Sequence, residues 1–188
     1  VGIAEEHALT FTAGLAIAKK KPFVSVYSSF LQRAYDQINH DIARMDLGCL
    51  ICVDRCGFVG ADGPTHHGVF DLGILNPLPN VIICTPSNSN DAKKFINTYI
   101  KNNDHPYILR IPRGDIKDEI VKDDDFLTIG KWYIKNDHDY DCTVICYGQN
   151  VNRVRSYFKD KSIKIRLVDA LFIKPMDFEM LNHIVDDK

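Results

Sequence analysis

Pro22-Phe23-Val24-Ser25-Val26-Tyr27-Ser28-Ser29-Phe30-Leu31-Gln32-Arg33-Ala34-Tyr35-Asp36-Gln37 changes its period halfway along. Pro22 to Val26 has the β-branched and aromatic content of a strand. From Leu31 to Met45 the apolar residues fall at helical spacing. A strand that feeds directly into a helix is the repeating unit of a parallel sheet. The unit recurs along the chain. Cys49 to Asp54, Val81 to Cys84 and Tyr107 to Ile111 read as strands, the last stopped by Pro112-Arg113-Gly114. Ser87-Asn88-Ser89-Asn90-Asp91 offers caps for a helix reaching about Lys101. Val1-Gly2-Ile3-Ala4 reads as the end of a strand entering a turn. Both faces of these strands look apolar, which predicts helices on each side. The expected fold class is α/β, a doubly wound and mostly parallel sheet.

After Gly114 the composition shifts. Asp115 to Asp125 is charged and has little to bury, so residues 115–129 read as a linker between a first domain at 1–114 and a second unit at 130–188. The second unit begins another βα series. Thr143 to Tyr147 reads as a buried strand, Asn150 to Phe158 as a helix and Ile163 to Val168 as a strand. Met176-Asp177-Phe178-Glu179 opens a further helix. A unit of about 60 residues is small for an independent α/β domain, so it reads as truncated. With no initiating Met, the chain is expected to be a piece of a longer protein.

The totals exclude several partners. A formal charge of -2 over 188 residues offers no basic surface for nucleic acid or an anionic membrane. No apolar run approaches the roughly 20 residues of a membrane-spanning helix. Cys49, Cys52 and Cys56 are spaced C-x2-C-x3-C, with His66 and His67 following. A strand would point Cys49 and Cys52 to opposite faces, a poor arrangement for one metal. The cysteines read as small apolar residues in a reducing compartment, and no metal ligands are assigned. A plastid-type organelle and a bacterial cytoplasm both fit this usage.

Three stretches lie where strands end, the place where open α/β sheets bind ligands. Tyr27 to Arg33 combines two aromatics, a hydroxyl pair and an arginine. It could stack on a ring and hold an anion, or equally be a helix start with Phe30 in the core and Arg33 in solvent. Asp54-Arg55-Cys56-Gly57-Phe58-Val59-Gly60-Ala61-Asp62-Gly63-Pro64-Thr65-His66-His67-Gly68 is a glycine-hinged loop dense in polar groups. It reads as a site, or as a solvated loop with a coincidental histidine pair. Ile3-Ala4-Glu5-Glu6-His7-Ala8 places two acids in a first helical turn, where the helix dipole alone would favour them.

Taken in order, these stretches and Arg110-Ile111-Pro112-Arg113-Gly114 resemble the transketolase-type thiamine-diphosphate superfamily, and within it the 1-deoxy-D-xylulose-5-phosphate synthases. The resemblance runs from Val1 to about Gly114. It continues more weakly through Val168-Asp169-Ala170-Leu171-Phe172-Ile173-Lys174-Pro175. It implies an enzyme that condenses pyruvate with D-glyceraldehyde 3-phosphate, releasing CO2. The resemblance assigns roles residue by residue. Glu5 would bond the aminopyrimidine of thiamine diphosphate as a catalytic acid–base group. Phe30 would pack on that ring with Tyr27 beside it. Arg55 and Arg113 would hold the aldehyde's phosphate, with Arg33 supporting the region. Asp62 and His66 would contact substrate hydroxyls, His66 also moving a proton. His67 lies outside the pattern and receives no role.

Three positions depart from that pattern. Glu6 stands where Gln is usual, an acid that could perturb Glu5. Cys56 stands where Ala is common. Leu171 stands where Arg is frequent, a change expected to weaken contacts of the C-terminal unit. The family's Gly-Asp-Gly motif for Mg2+ and the diphosphate has no counterpart here, so both are expected from an N-terminal domain absent from this chain. The implied assembly is a homodimer, and the chain alone is expected to be inactive. Two other readings remain. One is a β subunit of a 2-oxoacid dehydrogenase or split transketolase. The other is a non-catalytic module of the same fold.

Overall fold

The computed structural model describes residues 2–114, 125–136 and 139–186. Of the connector expected at 115–129, residues 115–124 lie outside the described residues, as does Val1. Helix α1 (Glu5–Ile17) leads into strand β1 (Phe23–Tyr27) and the single-turn helix α2 (Ser28–Leu31). Strand β2 (Cys49–Cys56), helix α3 (Asp71–Leu75), strand β3 (Ile82–Cys84), helix α4 (Ser89–Lys101) and strand β4 (Pro106–Pro112) complete the first unit. Strands β5 (Tyr133–Ile134) and β6 (Cys142–Cys146), helix α5 (Gln149–Phe158), strands β7 (Ile165–Asp169) and β8 (Phe172–Lys174) and helix α6 (Phe178–Asp186) follow.

Among the described residues one sheet has the order β1-β2-β4-β3-β8 and a second the order β5-β7-β6. Strands β1, β2, β4 and β3 are mutually parallel, as the repeated βα units require. Alternation sorts their side chains onto two faces. Ile51, Val53, Ile83 and Ile108 pack with Leu9, Leu31, Ile38, Ile42 and Leu75 on one face. Leu50, Ile82, Cys84, Tyr107 and Leu109 pack with Phe95, Tyr99 and Phe172 on the other. Both faces are therefore covered, and β2 and β4 read as continuous apolar runs because they are central. Helix α1 buries Ala8, Leu9, Thr12, Ala13 and Ala16 on one face, while Phe11 and Ile17 are exposed. Helix α4 starts at the expected cap, where the Asn88 side chain accepts from the Asp91 amide.

Gly2 and Ile3 form the expected turn, and Val1, where the strand would end, lies outside the described residues. Other expectations are corrected. The single helix expected from Leu31 to Met45 is broken into α2, a 3-10 turn at Gln32–Ala34 and a π-helical stretch at Gln37–Ala43. The π-helical stretch buries Ile38, Ile42 and Ala43, and Arg33, in the preceding 3-10 turn, reaches Glu5 of α1. Strand β6 is not buried. It is the outer strand of its small sheet, and Cys142 is exposed.

The stretch from Val168 to Pro175 contains the end of β7 and then strand β8. Strand β8 follows β7 almost at once, yet it leaves the second sheet and pairs antiparallel with β3. Leu171 and Phe172, at this crossing, are fully buried against Phe95 and Tyr107. Leu171 therefore adds core surface at the junction instead of weakening it, because the site is apolar and its carbonyl accepts from Thr85 N at 2.8 Å. Ser87 Oγ donates to Asp169 Oδ2 at 2.7 Å and Asn152 Nδ2 to the Ser87 carbonyl at 2.7 Å, further joining the units.

Candidate functional site

The carboxyl ends of β1, β2 and β4 deliver Tyr27, Arg55 and Arg113 to one end of the sheet, and α1 brings Glu5 to the same end. Strand β1 terminates at Tyr27 and α2 begins at once, so Phe30 lies one turn beyond it. The two rings stand 4.8 Å apart between centroids. The His66 ring lies edge-on to both, at 5.8 Å from Tyr27 and 5.6 Å from Phe30. These are favourable aromatic geometries, and they make one wall. Thr65 Oγ1 is 2.9 Å from His66 Nδ1 and fixes the orientation of the imidazole.

Arg55 is aimed by a backbone irregularity. The β2–β4 register shifts between Val53 and Cys56, and Arg55 itself has φ +58°. A non-glycine residue in the left-handed region stores strain, and a bulge at a strand end re-aims a side chain. Arg55 Nη1 donates to the Tyr27 hydroxyl at 2.6 Å and to Asp62 Oδ2 at 2.8 Å. Its guanidinium also lies 4.5 Å from the Tyr27 ring centre. Arg113 Nε reaches the same Asp62 oxygen at 2.9 Å, and the Tyr27 hydroxyl donates to it at 2.9 Å. One carboxylate oxygen thus sits between two guanidinium groups. The bonds from Arg113, then Tyr27 and Arg55, hold Asp62 below the usual carboxylate range against a smaller effect of burial.

Glu5 occupies the first turn of α1, where no side chain caps the helix. Its carboxylate accepts from Arg33 Nη1 at 2.5 Å, and this bond holds its pKa below 4.5. The Glu5 side chain is 11% exposed and that of Arg33 41%, so the acid is the inner partner. Arg33 also lies 5.8 Å from the Phe30 ring centre. A cavity of about 460 Å3 opens here, lined by Glu5, Val26, Tyr27, Phe30 and Arg33 among others. Glu5, Arg33, Phe30, Tyr27, His66, Arg55, Asp62 and Arg113 form one connected chain of contacts. Arg33 joins it through Glu5 rather than through the arginine pair.

Residues that sequence reasoning left aside hold this arrangement. His67 accepts from the Val59 amide through Nδ1 at 3.2 Å and meets Phe58 edge-on, bracing the loop. The loop closes where Gly57 and Gly68 exchange backbone bonds of 2.7 and 2.8 Å. A Cβ at Gly68 would lie 2.4 Å from Ser28 Oγ and 2.7 Å from the Arg55 carbonyl, so only glycine fits. Cys56 donates to the Val53 carbonyl and to Asp71. Asp71 in turn accepts from Arg110 through both oxygens, at 2.7 and 3.0 Å. Arg110 belongs to a motif that carries the family resemblance, but its pairing with Asp71, 39 residues away, is not legible from spacing.

A ring-sized cavity beside a carboxylate and an aromatic wall fits the pyrimidine half of thiamine diphosphate. Among the described residues no group of three or more His, Cys, Asp and Glu side chains could hold a metal ion. No described helix is long and apolar enough to cross a membrane.

Comparison with known proteins identifies the family. Residues 1–118 match the family model described as transketolase, pyrimidine binding domain. The chain is 42% identical over 195 aligned residues to a protein of Lysinibacillus sphaericus (strain C3-41) named 1-deoxy-D-xylulose-5-phosphate synthase, covering all of this chain and 30% of that one. It is 44% identical over 185 residues to a protein of the same name from Psychromonas ingrahamii, covering 98% of this chain and 29% of that one. The chain therefore spans about 30% of the length of the curated relatives it matches. A solved structure titled split gene transketolase, inactive beta4 tetramer, superposes with a TM-score of 0.84 at 23% identity, covering 99% of this chain and 61% of that one. At that identity the likeness concerns the fold.

Proposed function

Since this chain belongs to the transketolase pyrimidine-binding domain family, we propose that it supplies the pyrimidine and aldehyde-phosphate half of a thiamine-diphosphate active site. The reaction is the condensation of pyruvate with D-glyceraldehyde 3-phosphate to 1-deoxy-D-xylulose 5-phosphate and CO2. The observation that carries the reading is the junction of two subsites on one strand-end surface. Glu5 with its aromatic wall suits a heteroaromatic ring, and the Arg55–Arg113 pair suits a phosphate. The identity to proteins named for this reaction supports the choice among the family's chemistries.

When bound, thiamine diphosphate supplies the carbon nucleophile for the keto group of pyruvate and an electron sink for the charge left by departing CO2. The chain's own residues do the rest. Phe30 and Tyr27 pack on the ring and exclude water from its edge. Glu5 faces the ring nitrogen and holds the proton there. For that it must loosen its bond to Arg33, which now favours the ionised form. Arg55 and Arg113 bind the phosphate of the aldehyde, which takes over the place that Asp62 Oδ2 fills. Asp62, released, then accepts a hydrogen bond from the aldehyde's single free hydroxyl, and an N–H of His66 can give a proton to the new alkoxide. The divalent ion and the diphosphate are held by residues outside this chain.

The test is kinetic, in the longer protein carrying the diphosphate-binding part. Glu5→Gln is expected to lower kcat by at least about a hundredfold, the typical share of one acid–base group, with an unchanged circular dichroism spectrum. Arg113→Lys is expected to raise KM for the aldehyde phosphate roughly ten- to hundredfold, since a charged hydrogen bond contributes about 1.5–3 kcal/mol. Its KM for pyruvate should not move. Wild-type turnover in Glu5→Gln would remove Glu5 from the chemistry. Equal effects of Arg113→Lys on both substrates would remove the phosphate clamp.

A further inference from the structure

Helix α5 and strand β7 bound an open cavity of about 770 Å3 in the second unit. That volume lies within the roughly 300–1,000 Å3 of small-molecule sites. Phe158, Ile163, Ile165 and Leu167 supply its apolar lining. Ile165 and Leu167 alternate along β7 onto one face and pack there with Val151 of α5, so this part of the lining is held by a core. No lining residue is shared with the cavity at Glu5 or with the Arg55–Asp62–Arg113 group, so the two places are separate.

The charged lining is dominated by one sign. Lys135, Arg155, Lys159, Lys161 and Lys164 line the cavity, against one acid, Asp139. Over the whole chain acids outnumber Lys and Arg by 25 to 23, so this gathering of cations is a local reversal that the net charge conceals. Lys135 pairs with Asp169 Oδ2 at 3.3 Å and gives the cavity its stem rather than its charge. Lys159, Lys161 and Lys164 differ. Among the described residues none of the three pairs with a carboxylate, and the Lys161 ammonium stands 4.8 Å from the Tyr157 ring centre. The carboxyl end of α5 accounts for Lys159 and Lys161, since a helix dipole favours cations there. It does not account for Lys164, which leads into β7 on the other side. Like charges gathered over an apolar wall repel one another and focus their field outward, and a bound anion relieves both.

We propose that this cavity binds a small phosphorylated compound of the nucleoside diphosphate class, its ring on the apolar lining and its phosphates among Lys159, Lys161 and Lys164. Size and charge together select that class. An inorganic anion would leave Phe158 and Ile163 facing water, and a neutral ring would leave three lysines uncompensated. A terminal phosphate carries about −1.5 to −2 and the inner one adds a further charge, so a diphosphate matches three ammonium groups. Lysine is a mobile point charge that follows phosphate oxygens, and the Phe158 ring and the Arg155 guanidinium offer surfaces for a flat ring. The site does not take part in the reaction proposed above.

The experiment is a titration of the 15N-labelled chain with ADP at constant ionic strength. The amide resonances of Lys159, Lys161 and Lys164 are expected to shift saturably. Adenosine and inorganic pyrophosphate, each one half of the probe, should bind at least about tenfold more weakly than ADP. The double variant Lys159→Gln/Lys164→Gln should weaken ADP binding at least about tenfold, the equivalent of one lost hydrogen bond to a charged group. Ile163→Ser should weaken it severalfold, and Arg55→Gln should leave it unchanged. Lys159, Ile163 and Lys164 are exposed, so these changes do not threaten the fold. Pyrophosphate binding as tightly as ADP would overturn the part given to the apolar lining, and adenosine binding as tightly would overturn the part given to the lysines. A polyglutamate peptide binding more tightly than ADP would make this a peptide site and overturn the assigned class. No saturable shift, or full affinity in the double variant, would overturn the site. Loss of binding in Arg55→Gln would do the same, because it would place ADP at the strand-end arginines. None of these outcomes depends on turnover, so a failure of the reaction proposed above leaves them unchanged.

Discussion

Arg33 sets the charge state of Glu5. Its bond at 2.5 Å favours the carboxylate, so Arg33→Gln should move the Glu5 titration upward toward 4.5. Carboxyl 13C shifts against pH measure this directly, and an unmoved titration would mean that the ion pair has no influence in solution. A second residue-scale effect concerns His105, whose Nδ1 lies 2.8 Å from Asp46 Oδ1. The bond to Asp46 raises the imidazole above 6.5 against a smaller effect of burial. The folded state therefore binds the proton more tightly than the unfolded one. Its stabilising contribution is full below about pH 6.5 and is lost as pH rises through the raised value. His105→Gln should lower the urea midpoint near pH 5.5 and have little effect near pH 9, where the wild-type histidine is neutral. A loss equal at both pH values would point to packing instead of charge.

At the scale of elements, the strand-end surface depends on how β2, β4 and α3 are tied behind it. Arg110 on β4 and Asp71 on α3 form a buried, two-bond ion pair, and Cys56 at the end of β2 donates to the same carboxylate. Burial raises the Cys56 thiol well above its ordinary range, so it serves as a neutral donor and not as a nucleophile. Arg110→Met would leave the Asp71 carboxylate buried without its cation, at a cost of about 3–5 kcal/mol. That is a large part of the roughly 5–15 kcal/mol that holds a domain together. The double variant Arg110→Met/Asp71→Leu should recover most of the loss. Urea denaturation of the three proteins checks this, and a single variant as stable as wild type would show that the pair is not structural.

For the whole molecule, the proposed function needs a third subsite, one for the metal that carries the cofactor's diphosphate. On the proposed reading the chain contacts the pyrimidine ring and the aldehyde's phosphate. It offers, among the described residues, no cluster for the divalent ion that must carry the cofactor's diphosphate. Most of the cofactor's charge would stay in water, so these 188 residues should bind thiamine diphosphate weakly, on the order of millimolar, and turn over no pyruvate. Calorimetric titration with cofactor and Mg2+ measures this, and a micromolar site would place the diphosphate ligands within this chain. Adding the diphosphate-binding part of the protein in trans should restore tight binding, because the missing ligands then complete the site.

Residue order alone determined the parallel arrangement. The alternation of β-branched runs with helical spacing between Phe23 and Pro112 allows little else, because parallel neighbours require crossovers. The family resemblance of its motifs also marked Glu5, Tyr27, Arg55 and Arg113, of which Tyr27, Arg55 and Arg113 lie at strand ends. Tertiary structure decided what spacing cannot carry. Strand β8 is three residues long and has no period of its own, so only pairing with β3 makes it a strand. The broken helix after Leu31 keeps the apolar spacing of an unbroken one, and the change of winding appears only where Arg33 finds Glu5. The direction of Arg55 comes from a register shift that exists only between two paired strands. The Arg110–Asp71 pair and the cavity beside α5 join residues distant in the chain, and such contacts are decided by packing rather than by local sequence.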